Sequence, residues 1–393
     1  MDAVELVRAR ASLIDDLLVR LVRVRSDDSQ IGEICELLAA EARALGLERI
    51  RPDAMGNLVV EAGDGPLTIL YDTHVDTVGA DPVVWGFDPW EGRIEGGVLH
   101  ALGACDEKGS TPGMLHALAA LWETGGLDGL RLVVFCNMEE RAEGRSGRHL
   151  VEREGLRPDA VVVGEPTSLR VNLGHRGRAE YALSFAGEQE HGAHADPERS
   201  AIVRAARAVN ELSTLECRDH PVLGRGSLAV TRIHAAGGSH NVVPGRCDVY
   251  VDRRLTLGED AGDELERLRA LAARHGGTAE LPELDEPTYT GLRLGGQLVF
   301  PAWLTDADEP IALAALATAG AVLGRPVGTG VWEFSTNGTY WAGEAGIPTV
   351  GFGPGDEHDA HTPNDRVALG DVRTAAEVYT RLPAALRSAL SGR

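Results

Sequence analysis

The chain has 393 residues, more than one hydrophobic core usually organises, so two domains are expected. It is 43% hydrophobic and 25% charged, the composition of a folded soluble protein, and 38 Lys+Arg against 60 Asp+Glu give a formal charge of -22. That acidic excess argues against nucleic acid or an anionic membrane as partner, and local arginines must meet any anionic substrate.

Residues 4 to 25 and 31 to 45 carry helical periodicity. The opening stretch is amphipathic and charged, without the apolar core of a secretory leader, and no later run approaches membrane-spanning length. Five scattered cysteines with no CxxC pair suggest neither a zinc knuckle nor a disulfide framework, so a cytoplasmic protein with reduced thiols is expected. Strand-like runs follow at Gly56 to Ala62 and Leu67 to Tyr71. Thr111-Pro112 puts a proline in the first turn of a helix that closes at Gly125-Gly126. Leu130 to Asn137 reads as a buried strand running into Met138-Glu139-Glu140. Ser146 to Glu154 reads as a short helix, and Asp159 to Glu165 as a further buried strand. Such alternation predicts an α/β core, a mostly parallel sheet flanked by helices, with its site beyond the carboxyl ends of the strands.

The texture changes near Arg178. A strand (Ala179 to Ala186), a helix near Ser200, strands at Ser227 to His234 and Cys247 to Leu255, and a helix at Asp260 to His275 suggest a small inserted α+β domain. The expected division is 1–178 and 289–393 for the main domain and 179–288 for the insert. A buried strand at Ile347 to Phe352 runs into a polar loop containing His361, and a helix from Val372 to Leu390 ends the chain.

His74 and Asp76 follow the Leu67 to Tyr71 run with one residue between them, so strand alternation puts them on one face. An imidazole beside a carboxylate is what a divalent metal needs: a ligand, and a group that orients it. Asp106, Glu140, Glu165 and His361 complete a set of two imidazoles and three carboxylates. One bridging carboxylate would let this set hold two ions, which suits zinc, with cobalt or manganese as alternatives. Two ions about 3.5–4 Å apart can activate a water and polarise a carbonyl. Glu139, adjacent to Glu140 and not used as a ligand, suits a general base.

The ordered motifs HVDTV, GACDEKG, MEER, GEPT and AHTPND resemble those of the dinuclear zinc amidohydrolase and exopeptidase family of acetylornithine deacetylase, succinyl-diaminopimelate desuccinylase, aminoacylase and glutamate carboxypeptidase. The resemblance runs from about residue 10 to the C-terminus. FSTNG and GFGPG resemble its peptidase-like, selenium-metabolism-hydrolase branch. The resemblance implies that His74, Asp106 and Glu165 hold one ion and Asp106, Glu140 and His361 the other. Glu139 would then be the base and Asp76 would orient His74. It also makes Asp106–Glu107 a candidate cis peptide, and the insert a lid and dimerisation domain, hence a homodimer.

The family's lid supplies a histidine to the oxyanion. His191 has the family spacing from Gly187 and is preferred to His194, which stands nearer Pro197-Glu198. GGSHNVVP resembles the family segment that would make Asn241 a substrate or oxyanion contact. Arg254 in Asp252-Arg253-Arg254 could fork onto a substrate carboxylate or pair with Asp252. The glycines of Gly351-Phe352-Gly353-Pro354-Gly355 are expected to let substrate approach the backbone. The reading as a whole is a metal-dependent hydrolase that cleaves the amide bond of an N-acyl or N-carbamoyl amino acid, using a dizinc-bound water with Glu139 as base. The same site could serve a dipeptidase or carboxypeptidase. A metal-binding homologue without turnover is the reading from another class. The substrate would be a small amide carrying a carboxylate.

Overall fold

The computed structural model describes residues 1–27, 31–138, 142 and 144–391. Two units divide the chain. The first comprises Met1–His175, Pro287–Arg293 and Leu304–Arg393; the second comprises Arg176–Glu286 and Leu294–Trp303.

The first unit is built on a sheet whose strands run in the order Arg49–Pro52, Leu58–Ala62, Leu130–Asn137, Leu67–His74, Ala160–Val163, Thr349–Gly351, Val171–His175. Leu67–His74 is parallel to both of its neighbours, with Ile69 opposite Leu132 on one side and Ala160 on the other. Its residues from Thr68 onward are all buried, as a central strand covered on both faces requires. The helices Ile31–Ala44, Thr111–Glu123, Pro310–Leu323 and Leu369–Leu390 supply apolar faces to the same core.

The N-terminal periodicity resolves into two helices, Ala3–Ala9 and Ala11–Arg23, which meet at Arg10. A small antiparallel sheet of Arg93–Glu95, Val98–His100 and Arg366–Ala368 has no signal in the sequence beyond Gly96-Gly97 at its hairpin turn. Its strands are three residues long, too short to show a period. Pro287–Arg293 returns to the first unit between two stretches of the second. Tyr289 Oη donates to Gly56 O at 2.9 Å and Thr290 Oγ1 to Ala54 O at 2.9 Å. The Tyr289 ring fills the space a side chain would take at Gly56.

The second unit has an antiparallel sheet ordered Ser227–His234, Arg246–Leu255, Gly177–Ala186, Gly277–Glu280, with Val299–Phe300 also pairing on Gly177–Ala186. Gly177–Ala186 alternates buried and half-buried residues almost to its end. Ala179, Tyr181, Leu183 and Phe185 form one core with residues of the helices Ala201–Leu212 and Ala261–Arg274. One face of the sheet is thus packed and the other open.

Candidate metal centre

The parallel register brings three strand ends together. Val75 N–H donates to Asn137 O at 3.1 Å and Gly164 N–H to Asp72 O at 2.9 Å, so the ladder continues just past the strands. His74, Met138 and Glu165 therefore emerge side by side. Asp106 approaches from the loop before the helix Thr111–Glu123, and the Asp106–Glu107 peptide is cis. His361 approaches from the loop before Arg366–Ala368, with φ 55°.

The Asp106 carboxylate lies between the two imidazoles. Its Oδ1 is 3.0 Å from His74 Nε2, and its Oδ2 is 3.1 Å from His361 Nε2. Glu165 Oε1 is 3.6 Å from His74 Nε2. Four of the five expected ligands thus converge; Glu140, with the expected base Glu139, lies outside the described residues. His74 Nδ1 is 3.1 Å from the backbone oxygen of Asp76 and 3.7 Å from its Oδ1. A proton on Nδ1 directed at that carbonyl leaves Nε2 as the nitrogen that faces the carboxylates. Asp76 orients His74 through its main chain more closely than through its side chain.

These donors fit a pair of cations. Burial alone would raise the Asp106 carboxyl, yet His361 and His74 hold it below the ordinary carboxylate range. Burial alone would lower His74, yet Asp106, Glu165 and Glu107 raise it well above an ordinary imidazole. The carboxylates that draw a proton onto His74 would equally draw a divalent cation in its place. The two oxygens of Asp106 diverge toward different imidazoles, as a carboxylate shared by two ions must.

Further residues of the centre were not singled out in the sequence. Glu107 Oε1 accepts the backbone N–H of His74 at 3.1 Å, and Glu107 groups with His74 and Glu165 closely enough to offer ligand atoms to one ion. Burial pushes its carboxyl well up. Asp72 accepts from Asn137 Nδ2 at 2.6 Å, from Asn337 Nδ2 at 3.2 Å and from Trp341 Nε1. Burial outweighs these donors and lifts it to about 6. Asn337 Oδ1 accepts the Gly144 N–H at 2.8 Å. Asn57 Oδ1 accepts the Met138 N–H at 3.0 Å and the Ser146 hydroxyl at 3.1 Å. The only advance signal for these residues was their polarity at or beside buried strand ends. Their neighbours in space lie tens to hundreds of positions away.

The glycines of the 351–355 stretch face protein. A side chain at Gly351 would strike the Trp332 ring, and one at Gly353 would strike the carbonyls of Gly164 and Glu165. Trp332 Nε1 in turn donates to Pro166 O at 2.8 Å. These glycines bring the segment against the Glu165 turn.

In the second unit, His191 pairs opposite Val242 in a two-residue ladder. Its Nδ1 accepts the Ala193 N–H at 3.1 Å, and its Nε2 is 3.3 Å from the side-chain amide of Asn241. With Nδ1 accepting, the proton of the neutral ring belongs on Nε2. Ser239 Oγ donates to Asn241 Oδ1 at 2.5 Å, and the amide nitrogen of Asn241 lies on the His191 side. His194 is exposed, its ring 6.1 Å from that of His191. Arg254 is engaged by Asp252, with Nε to Oδ1 at 2.8 Å and Nη2 to Oδ2 at 3.2 Å.

A sequence model described as peptidase family M20/M25/M40 matches residues 70–385. The chain belongs to that family. As an M20 protein it is a dinuclear metal-dependent hydrolase, an amidohydrolase or exopeptidase. It is 31% identical over 369 residues to YgeY of Escherichia coli, an uncharacterized protein, with 92% of each chain covered. It is 28% identical over 379 residues to the succinyl-diaminopimelate desuccinylase of Alkalilimnicola ehrlichii, covering 93% of this chain and 96% of that one. Its fold is similar to that of Bacillus subtilis YXEP, described as a dinuclear metal binding peptidase of the M20 family. The TM-score is 0.69 at 15% identity, over 97% and 99% of the two chains. Among the described residues of this M20 hydrolase, no helix is long and apolar enough to cross a membrane.

Proposed function

We propose that this M20 hydrolase cleaves the amide bond of a small N-acyl or N-carbamoyl amino acid. The observation that carries the reading is the Asp106 carboxylate held between His74 and His361, with Glu165 beside His74. His74, Asp106 and Glu165 would hold one ion, and Asp106, Glu140 and His361 the other, with zinc favoured by the mixed imidazole and carboxylate donors. Bound there, the ions would polarise the amide carbonyl and make water a nucleophile near neutral pH.

The remaining work falls to side chains. Glu139 would take a proton from the attacking water and deliver it to the departing amine nitrogen. His191 would present Nε2–H to the oxyanion, and Asn241 its side-chain amide N–H; the Ala193 N–H on Nδ1 supports His191 over His194 for this role. Arg254 would meet a substrate carboxylate only by exchanging Asp252 for it. A homodimer and a cytoplasmic location belong to the same proposal; the described cysteines are all unpaired, in keeping with the latter. A dipeptidase or carboxypeptidase is the second reading, because the same donors serve any amide whose carbonyl reaches them.

The test is hydrolysis of a panel of N-acetyl, N-succinyl and N-carbamoyl amino acids and dipeptides by chelator-stripped protein, before and after adding zinc, cobalt or manganese. Turnover should return with metal, favour acylated or carbamoylated amino acids over dipeptides, and fall by roughly 10²–10⁴-fold or more in Glu139→Ala. Preference for dipeptides would establish the second reading. Turnover indifferent to metal would overturn both.

A further inference from the structure

Asp365 stands four residues after His361 and is almost fully buried, at 1% exposure. Its Oδ2 accepts the Gly103 N–H at 2.5 Å and its Oδ1 the Cys105 N–H at 2.8 Å. Its own carbonyl accepts the Ala101 N–H at 3.2 Å. Three alternate amides of the segment leading into Asp106 therefore end on one residue. Asp365 N–H donates to Thr362 O at 3.1 Å, closing the turn that carries His361. Immediately beyond, Arg366 pairs with His100 in the small antiparallel sheet. The nearby buried ammonium of Lys108 is bonded to the carbonyls of Leu21 and Val24, at 3.2 Å each. A buried carboxylate is expensive, and here its two oxygens are spent on the backbone of the Asp106 loop.

We propose that Asp365 is a positioning residue for the metal centre: it fixes the bridging Asp106 against His361 and so sets the affinity for both ions. The inference rests on the two-ion reading above. The physical reason is that His361 and Asp106 sit on separate loops, and their 3.1 Å approach needs a fixed distance between those loops. The small sheet holds the loops at one end, and Asp365 holds them at the end nearest the ions. A shared ligand that drifts weakens both sites together, whereas loss of Glu165 would weaken one.

The experiment compares wild type, D365N and D365E by titrating metal-free protein with zinc and with cobalt(II), alongside hydrogen exchange of the metal-free proteins. Asn puts an NH₂ against one of the backbone N–H groups, so one grip becomes a repulsion. In D365N both affinities should fall by roughly 10–100-fold, the range for lost groups that orient ligands. The cobalt spectrum should change, and the amides of residues 101, 103 and 105 should exchange faster while those of Leu130–Asn137 keep their protection. D365E, which keeps both acceptors, should recover part of the affinity. Wild-type affinities in D365N would overturn the proposal, and so would protection lost evenly across the first unit. If D365N does not fold, D365E carries the test, because its acceptors stand one methylene further out; unaltered affinity there would overturn the proposal. A wild type that binds fewer than two ions would instead bring down the two-ion reading.

Discussion

At the scale of single residues, the polar groups of the first unit differ in whether their burial is matched. His74 is buried and surrounded by carboxylates, so burial and charge oppose each other and charge wins. His116 is equally buried, on the helix Thr111–Glu123, but neither ring nitrogen has a partner among the described residues. Burial, with Arg10 and Arg20 adding to it, lowers its pKa to about 4. The folded protein thus binds this proton less readily than the unfolded chain does, so stability falls as pH drops from the unfolded value near 6.5 toward 4. Between pH 7 and pH 5 the loss should be about 2 kcal/mol. Urea midpoints of wild type and His116→Leu at the two pH values check it, since only the difference between the proteins reports this group. Parallel pH dependence in the two would contradict the assignment.

At the scale of elements, the strand ends converge because Leu67–His74 is parallel to both neighbours and its register is pinned by the apolar core. Short polar links then hold what the strands deliver. Asn57 is the clearest, since one buried oxygen accepts from both Met138 and Ser146, at either side of the Glu139-Glu140 stretch. Its own amide donates to Asp53 Oδ2 at 2.8 Å. Asn57→Ala would leave the buried Met138 N–H and Ser146 hydroxyl unpaired, at a cost of about 2–6 kcal/mol from two orphaned donors. Denaturant midpoints should show that loss. Hydrogen exchange should show it concentrated at Met138 and at 144–146, and an unchanged midpoint would mean water replaces the amide at no cost.

At the scale of the whole molecule, two cores form from one chain, and each unit carries its own buried charges. Arg253 is fully buried in the second unit, with Nη2 at 2.5 Å from Glu259 and 3.5 Å from Glu264. Arg253→Met removes the cation and strands the acids, so that unit should lose about 3–5 kcal/mol. Metal affinity should be untouched; a drop in it would show that the second unit bears on the centre. Ions bound only by the folded first unit stabilise it by mass action, about 4 kcal/mol at a thousandfold excess over Kd. Thermal melts with and without zinc should therefore separate by several degrees, and a zinc-indifferent melting temperature would count against the centre.

The sequence by itself determined the family and the α/β core, and it proposed His74, Asp106, Glu165 and His361 as ligands, four side chains that the fold brings together. His74 and Glu165 follow apolar runs that are visible within ten residues, whereas Asp106 and His361 sit on loops and were reached through the resemblance of the ordered motifs. What joins the loops was not legible. Asp365 looked like one more polar residue in a polar loop, and its partners Gly103 and Cys105 are some 260 positions away. Asn57, Asp72 and Asn337 likewise act through partners that no short-range pattern specifies. The short strands and the return of Pro287–Arg293 to the first unit were hidden for the same reason. Backbone hydrogen bonds and a single aromatic ring decide them, and those contacts exist only once the chain has folded. Tertiary structure also decided that Arg254 spends its fork on Asp252, and that the glycines beside Phe352 receive protein, because both outcomes depend on which group arrives first at a given point in space.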